Sequence, residues 1–517
     1  LSQLLNLTTA DFQLFWKFAY YTKFLFKSKI IVLCSIILFS CKEDDIYIDE
    51  NGVTNLELSV TLTENPSGIA PLTAVINTSS TNSYHKVAIT IKGKNDDDLH
   101  YEINHLKPSH RIPILGLYAN HTNTIQFTAK NNLGKIISEK EFTVSTSPIG
   151  ILNLPSIEIL TANLAERFTL VEYRTITNKP FVFDLHGEIR WFLKFEESGI
   201  QPIVSNNSPI IFIGDKNKPK YYKYNWLGEV LNEITIPNSK MTTHHSQFTH
   251  PNGGDIIPID TEDAIGSLIC HFDESGNILK QWNMNEIVLN YLPENQNMMV
   301  IAKDWFHCNY ARYDATDNSI ILSGRRSIGV VKLDYNTGEI KWILGDPQKK
   351  WYQYQGLRDL ALQPIGNTQL PLGQHSPIKL PNGNMLLLDN GWDGYDRKAN
   401  EDGLINGGRQ YSRLVEYTID ETAMTVTQVM QYGKEKGQEL YSRVVGNTGY
   451  DLKADSRYCL FGAIAYNPNS NNVPNTEGRI IEVDNFGNLL FDAKLNTQVS
   501  SSLFYRSEKI DFESIIK

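Results

Sequence analysis

Apolar and polar residues alternate with a period of two over much of this chain, the pattern of strands that bury one face. It is first clear at Leu56-Glu57-Leu58-Ser59-Val60-Thr61-Leu62, which the turn Asn65-Pro66-Ser67-Gly68 closes. Strand-like runs follow at residues 85–92, 99–103, 124–129 and 140–144, separated by turn-rich loops. Residues 55–147 therefore predict a small immunoglobulin-like β-sandwich. The alternation stops after Val144, and residues 145–150 combine small polar residues with a proline and a glycine, the composition of a linker.

Beyond Pro155 one unit keeps returning: an aspartate or asparagine, a tight glycine turn, a β-branched residue and often an aromatic. Its copies are Asp184-Leu185-His186-Gly187-Glu188-Ile189-Arg190-Trp191, Asn225-Trp226-Leu227-Gly228-Glu229-Val230 and Asp273-Glu274-Ser275-Gly276-Asn277-Ile278. Three more lie at 334–342, at 420–426, where Met424 replaces the glycine, and at 484–491. Six hairpins at roughly 60 residues each suit decorated four-stranded blades. The all-β expectation for residues 155–517 is thus a six-bladed β-propeller preceded by the sandwich, with ligands on the axis of the ring.

Histidines recur against this frame. His245 lies six residues before Pro251, His375 six before Pro381 and His307 six before Tyr313, so spacings of 62 and 68 residues suggest one position in three blades. Strand alternation puts His307 and Asn309 on one face and Cys308, read as a packed thiol, on the other. Arg325 and Arg326 cannot both point inward, and phase alone does not choose between them. A lone histidine here would read as a hydrogen-bonded strand-end residue; three at matched positions, with an Asn and an Arg, read as a site. Three histidines can hold zinc, but no carboxylate follows them in register and an arginine opposes a cation, so the reading is no metal. Three imidazoles and a guanidinium suit a small tetrahedral anion.

Composition narrows the partners. At 517 residues and 41% hydrophobic content the chain exceeds one ordinary domain. A net charge of −10, without a basic run past the N-terminal segment, argues against nucleic acid or an anionic membrane surface. Cysteines at 34, 41, 270, 308 and 459 form no CxxC pair and no metal-ligand spacing. Residues 1–22 are not read as folded structure. Lys23, Lys27 and Lys29, the apolar stretch 30–39 and Ser40-Cys41 resemble an export signal, and Leu38-Phe39-Ser40-Cys41 resembles a bacterial lipobox. Residues 1–41 are accordingly an unstructured start and lipoprotein-type signal, with Cys41 as the lipid attachment, and the acidic residues 42–54 are a tether. The expectation is an exported lipoprotein, held by a lipid anchor in the periplasm, at the outer membrane or on the cell surface. Self-association into a homo-oligomer stays open.

Several stretches resemble the bacterial arylsulfate sulfotransferase family, which uses no nucleotide sulfate donor. They are His244-His245 before Pro251-Asn252-Gly253, Asp304-Trp305-Phe306-His307-Cys308-Asn309, Ser323-Gly324-Arg325, and Gly373-Gln374-His375 before Leu380-Pro381-Asn382-Gly383-Asn384, with support at 411–417 and 432–435. The resemblance implies a ping-pong enzyme without cofactor, taking a sulfuryl group from an aryl sulfate donor to a phenolic acceptor. It makes His375 the nucleophile that becomes sulfohistidine. It gives His245, His307, Asn309 and Arg325 the sulfate and bridging oxygens, with His244 beside them, and it favours Arg325 over Arg326. Trp305, Phe306 and Tyr310 are candidates for an acceptor pocket, with packing inside a blade as the more common role of such aromatics. Ser246, Ser376 and Arg326-Ser327-Ile328 depart from the family pattern, as does the lack of a sequence-adjacent cysteine pair; these bear on substrate range and efficiency. The alternatives are a non-catalytic surface propeller that binds sulfated or anionic ligands, and a hydrolase in which water replaces the phenol.

Overall fold

The computed structural model describes residues 58–517 apart from 81–84, 95–96, 150–152, 165–167, 176, 294–301, 393, 395–407, 467–475, 498, 500–501 and 517. The signal segment, Cys41 and the tether lie outside the described residues. The alternating N-terminal stretch forms two antiparallel sheets. One holds Ser59–Glu64, Ala74–Ser79 and Ser109–Ile114, the other Leu99–Lys107, His85–Ile91, Thr122–Lys130 and Ile136–Ser145. Val60, Ile76 and Ile112 of the first face Ile89, Ile125 and Phe127 of the second across one apolar core.

Two of these strands, Ala74–Ser79 and Ser109–Ile114, escape a reading based on alternation. In Ala74-Val75-Ile76 no polar residue interrupts the run, because both faces are covered. Ala74 and Ile76 enter the sandwich core, whereas Val75 packs with Leu170, Val182 and Trp191 of the following region. Arg190 reinforces this join. It donates from Nε and Nη2 to Gly116 O at 2.9 and 2.6 Å, lies over the Tyr118 ring at 3.6 Å and pairs with Asp184 at 2.7 Å.

The remaining chain makes six sheets of four or five strands. The first is Phe168–Arg174, Phe181–Phe183 and Ile189–Phe192, completed by the late strand Leu503–Ile510, which pairs with Phe168–Arg174. The second begins at Ile200–Val204, the third at Thr242–Thr243, the fourth at Cys308–Asp314, the fifth at His375–Lys379 and the sixth at Asn447–Asp451. All six repeated turns join the third and fourth strands of a sheet. In each, the side-chain oxygen of Asp184, Asn225, Asp273, Asp334, Asp420 or Asp484 accepts two backbone N–H groups at 2.8–3.0 Å. That local bonding is what made the repeat visible in sequence.

Apolar side chains then join each sheet to the next. Ile256 packs with Leu322 between the third and fourth sheets, while its neighbour Ile257 packs with Val204 towards the second. Ile320 and Ile321 divide in the same way between the third and fifth sheets. Further clusters link fifth to sixth, first to second, and sixth to first, the last through Ile480, Phe491 and Phe504. Among the described residues no helix is long and apolar enough to cross a membrane.

Because Arg190 is buried and holds three partners, Arg190→Ala leaves a carbonyl and a carboxylate uncompensated. The expected loss is about 3–5 kcal/mol of unfolding free energy in a denaturant titration; a loss below about 1 kcal/mol would contradict this account of the join.

Candidate active site

The histidines sit where first strands break their hydrogen-bond ladders. His245 falls between Thr242–Thr243 and Phe248–Thr249, and His307 directly precedes Cys308–Asp314. Their φ angles are 44° and 55°, a left-handed conformation that is uncommon for residues carrying a side chain. In the fifth sheet the left-handed residue is Ser376, at 48°, and His375 leaves the backbone one position ahead of it. That is a one-residue offset from the common position suggested by spacing.

Neighbouring elements hold these kinks. Arg506 Nη2 donates to His245 O at 3.1 Å, Ser246 Oγ accepts from Ala311 N at 3.1 Å, and Thr448 Oγ1 donates to Ser376 O at 2.7 Å. Ser246, a departure from the family pattern, thus ties the third sheet to the fourth. Gly266, at φ 56°, lets the chain pass the His244 ring: a Cβ there would lie 2.8 Å from His244 Cδ2 and 2.9 Å from Cys308 N.

The side chains converge from four sheets. The His245 and His307 rings are 5.1 Å apart, and His244 lies 3.8 Å from His245 and 5.0 Å from His307. Tyr505, on the late strand of the first sheet, stands 4.8 Å from His245 and 6.2 Å from His375. Its ring is covered by the Arg174 guanidinium at 3.6 Å, and its buried hydroxyl has no hydrogen-bond partner among the described residues. Burial holds that phenol above its ordinary range, so it stays a proton donor.

His375 Nδ1 is 2.6 Å from Asn390 Oδ1. The orientation of Asn390 is settled by its Nδ2, which donates to Ser442 O at 2.8 Å and Val445 O at 2.9 Å. The amide oxygen therefore faces the imidazole, Nδ1 carries the proton, and the Nε2 lone pair is left for chemistry. Burial and then the Arg325 charge push His375 well below the ordinary histidine range, so the ring is neutral.

His307 has a different partner. Its Nδ1 is 2.7 Å from Asp304 Oδ1, and Asp304 Oδ2 is 2.9 Å from Arg326. Burial lowers His307 to about 4, against the opposing pull of Asp304. It too is neutral, with Nδ1–H towards the carboxylate and a lone pair on Nε2. His245 is also lowered well below its ordinary value, by burial and then by His244 and Arg174.

The two arginines part company. Arg325 is buried, 5.3 Å from the Trp392 ring, and its charge reaches His375 and His307; Arg326 is held on Asp304. Asn309 donates from Nδ2 to Gln374 O at 2.8 Å, tying the His307 strand to the residue before His375. His244 is buried behind His245, with Asp260 Oδ1 2.8 Å from its Nδ1. Cys308 is fully buried and its thiol is pushed up to about 12; Cys270, Cys308 and Cys459 are all free. Trp305 and Phe306 are packed in the cluster between the third and fourth sheets, which places them in the core.

Asp304, Asn390, Tyr505 and Arg174 had no role in the sequence reading. Asn390 was within reach of it: the return strand places Leu388 opposite His375, and Asn390 follows two residues later. Asp304 lay three residues before His307 in a motif already noted. Tyr505 and Arg174 carry no local signal, since only the pairing of the late strand with the first sheet brings them in.

This geometry is accompanied by clear relatives. A family model described as Arylsulfotransferase (ASST) matches residues 157–506, and one described as Arylsulfotransferase Ig-like domain matches residues 61–147. The chain belongs to the arylsulfotransferase family. The arylsulfate sulfotransferase AssT of Escherichia coli O6:H1 (strain CFT073) is 25% identical over 518 residues, covering 77% of this chain and 84% of that protein. AssT of Lelliottia amnigena is 25% identical over 514 residues with the same coverage. A solved β-propeller domain of Cps50 (Swd1) aligns with 67% of this chain and 98% of its own at 11% identity, but its TM-score of 0.35 is too low to inform the fold.

In this arylsulfotransferase the Asn390 side chain fixes the proton on Nδ1 of His375. Asn390→Ala frees the His375 ring to rotate and to exchange tautomers, at a cost of about 2 kcal/mol, or roughly 30-fold, in the rate of reaction with an aryl sulfate. Rapid-quench measurement of aryl sulfate consumption reads this, and an unchanged rate would sink the assignment of the His375 tautomer.

Proposed function

We propose that this arylsulfotransferase transfers a sulfuryl group from an aryl sulfate ester to a phenol through a sulfohistidine intermediate on His375. The observation that supports this most is the Asn390 hydrogen bond, which leaves the Nε2 lone pair of a neutral, buried imidazole as the reactive group. Nε2 attacks sulfur, the N–S bond forms, and the S–O bond to the aryl group breaks with its electron pair leaving on the phenolate oxygen. Arg325 meets the negative charge on the sulfuryl oxygens; losing one such donor costs roughly 3–4 kcal/mol of barrier. An amide cannot take the Nδ1 proton, so the sulfated ring stays cationic and remains a good leaving group.

His307 is suited to the bridging oxygen rather than to the sulfate oxygens. A neutral imidazole with Nδ1–H on Asp304 offers a lone pair at Nε2, and a lone pair does not bind an anion. In the second half-reaction it takes the proton of the acceptor phenol as the phenolic oxygen attacks sulfur and the N–S bond breaks. That proton is then available to the leaving oxygen of the next donor. Asp304 fixes the tautomer and steadies the imidazolium, the part an aspartate plays behind a catalytic histidine in hydrolytic triads.

We further propose that the six sheets are the blades of a closed six-bladed propeller. The apolar clusters that link each sheet to the next, and the last to the first, support it, as does the pairing of Leu503–Ile510 with Phe168–Arg174. Export with a lipid on Cys41 is proposed from the N-terminal sequence alone.

With an aryl sulfate and a phenol, His375→Ala is expected to abolish transfer and to remove the sulfate-labelled protein formed with donor alone. Turnover of donor by that variant at the wild-type rate would defeat the assignment; free sulfate without transfer in the wild type would favour a hydrolase, and neither product a binding protein. Asp304→Asn, which reverses the preferred tautomer of His307, should lower phenol transfer roughly 10³–10⁴-fold. The second half-reaction needs neutral His307, so its rate should be level from neutral pH downwards and fall as the pH drops through about 4. A fall centred near the ordinary histidine value would contradict the buried, neutral state.

A further inference from the structure

His244, His245 and His307 have a second chemistry. One ligand nitrogen from each lies within 4.8 Å of the other two, and among the described residues this is the one group of its kind. Sequence register showed no carboxylate accompanying these histidines; the fold puts two behind them. Asp304 is hydrogen-bonded to Nδ1 of His307 at 2.7 Å, and Asp260 Oδ1 lies 2.8 Å from Nδ1 of His244, near it by distance though not in hydrogen-bonding geometry. Histidines that ligate a metal are characteristically backed in this way, because the carboxylate fixes the tautomer and makes the other nitrogen a better donor. Both ring nitrogens of His244 are buried and neither has a hydrogen-bond partner among the described residues.

We infer that His244, His245 and His307 form a site for one divalent transition-metal ion of the Zn²⁺ type, and that the ion switches off sulfuryl transfer by occupying the Nε2 lone pair of His307. Only the second clause rests on the function proposed above. Three imidazole nitrogens with no thiolate suit zinc, cobalt, nickel or copper rather than magnesium or calcium. Tetrahedral Zn–N bonds of about 2.0–2.1 Å bring ligand nitrogens to about 3.4 Å apart, so side-chain rotation of about 1 Å closes the cluster. Asp260 and Asp304 offset the cation's charge, and Arg325 opposes it. The fourth position is left for water or a substrate oxygen.

The test uses Co²⁺ as a visible probe on the full chain, stripped with chelator and desalted. One equivalent should give the intense d–d absorption of a four-coordinate ion, and Zn²⁺ should erase it. His245→Asn and His307→Asn should each abolish the band, and Asp304→Asn should weaken Co²⁺ binding 10- to 100-fold. His375→Ala should keep the band, as should His250→Asn, which lies in a separate buried pair with His271, ring centroids 4.6 Å apart; circular dichroism confirms that each variant is folded. No band in the wild type, or an unchanged band in His245→Asn, overturns the site. Zn²⁺ bound at one equivalent with transfer unaffected overturns the switch. A band in a protein whose metal-free, chelator-stripped form transfers no sulfate leaves the metal site standing and removes the sulfohistidine transfer reading instead.

Discussion

Burial of imidazole beside a fixed guanidinium is the constraint on which the rest of this structure depends. An imidazolium is unfavourable when burial removes water and Arg325 stands nearby, so buried His375 and half-buried His307 keep their lone pairs at neutral pH. In the proposed reaction the same arginine attracts the anionic group on which those lone pairs act. What separates the two rings is the atom behind Nδ1. An amide oxygen on His375 accepts the hydrogen bond but cannot accept the proton, which suits a nucleophile that must leave again. A carboxylate on His307 stabilises the protonated ring, which suits a base.

Holding these groups together takes backbone geometry that ordinary strands do not provide. Left-handed residues at His245, His307 and Ser376 cost of order 1–3 kcal/mol each, and they persist where surrounding structure over-determines them. Here that structure is a set of bonds between sheets, from Arg506, Thr448 and Ala311. The sheets are in turn fixed by apolar clusters on both of their faces, and the sandwich adds a further anchor through Arg190 and Val75. Loss of packing far from the site is therefore transmitted to the kinks.

The parts of the fold legible in the sequence were those governed by neighbours along the chain. The strand that follows Leu58 alternates because one of its faces meets solvent, and the six Asp or Asn turns bond to their own backbone two to four residues on. Ala74–Ser79 was hidden for the opposite reason: with both faces buried, the polar half of the pattern disappears. Trp305 and Phe306, which border His307, were open to a pocket or to packing, and the fold places them in the core.

The candidate site divides along the same line. By itself the sequence determined the residue types and their recurrence: three histidines at blade-like spacing, an arginine one strand on, and an inert cysteine on the opposite face. Which nitrogen of His375 and of His307 is free, and the presence of Tyr505 and Arg174, were decided only by the tertiary structure. The family resemblance already favoured Arg325, and the fold puts its charge near His375 and holds Arg326 on Asp304. The physical reason is that proton position, charge state and access to water depend on the second partner of each group. Asn390, Asp304 and the late strand Leu503–Ile510 become partners only when the sheets are brought together.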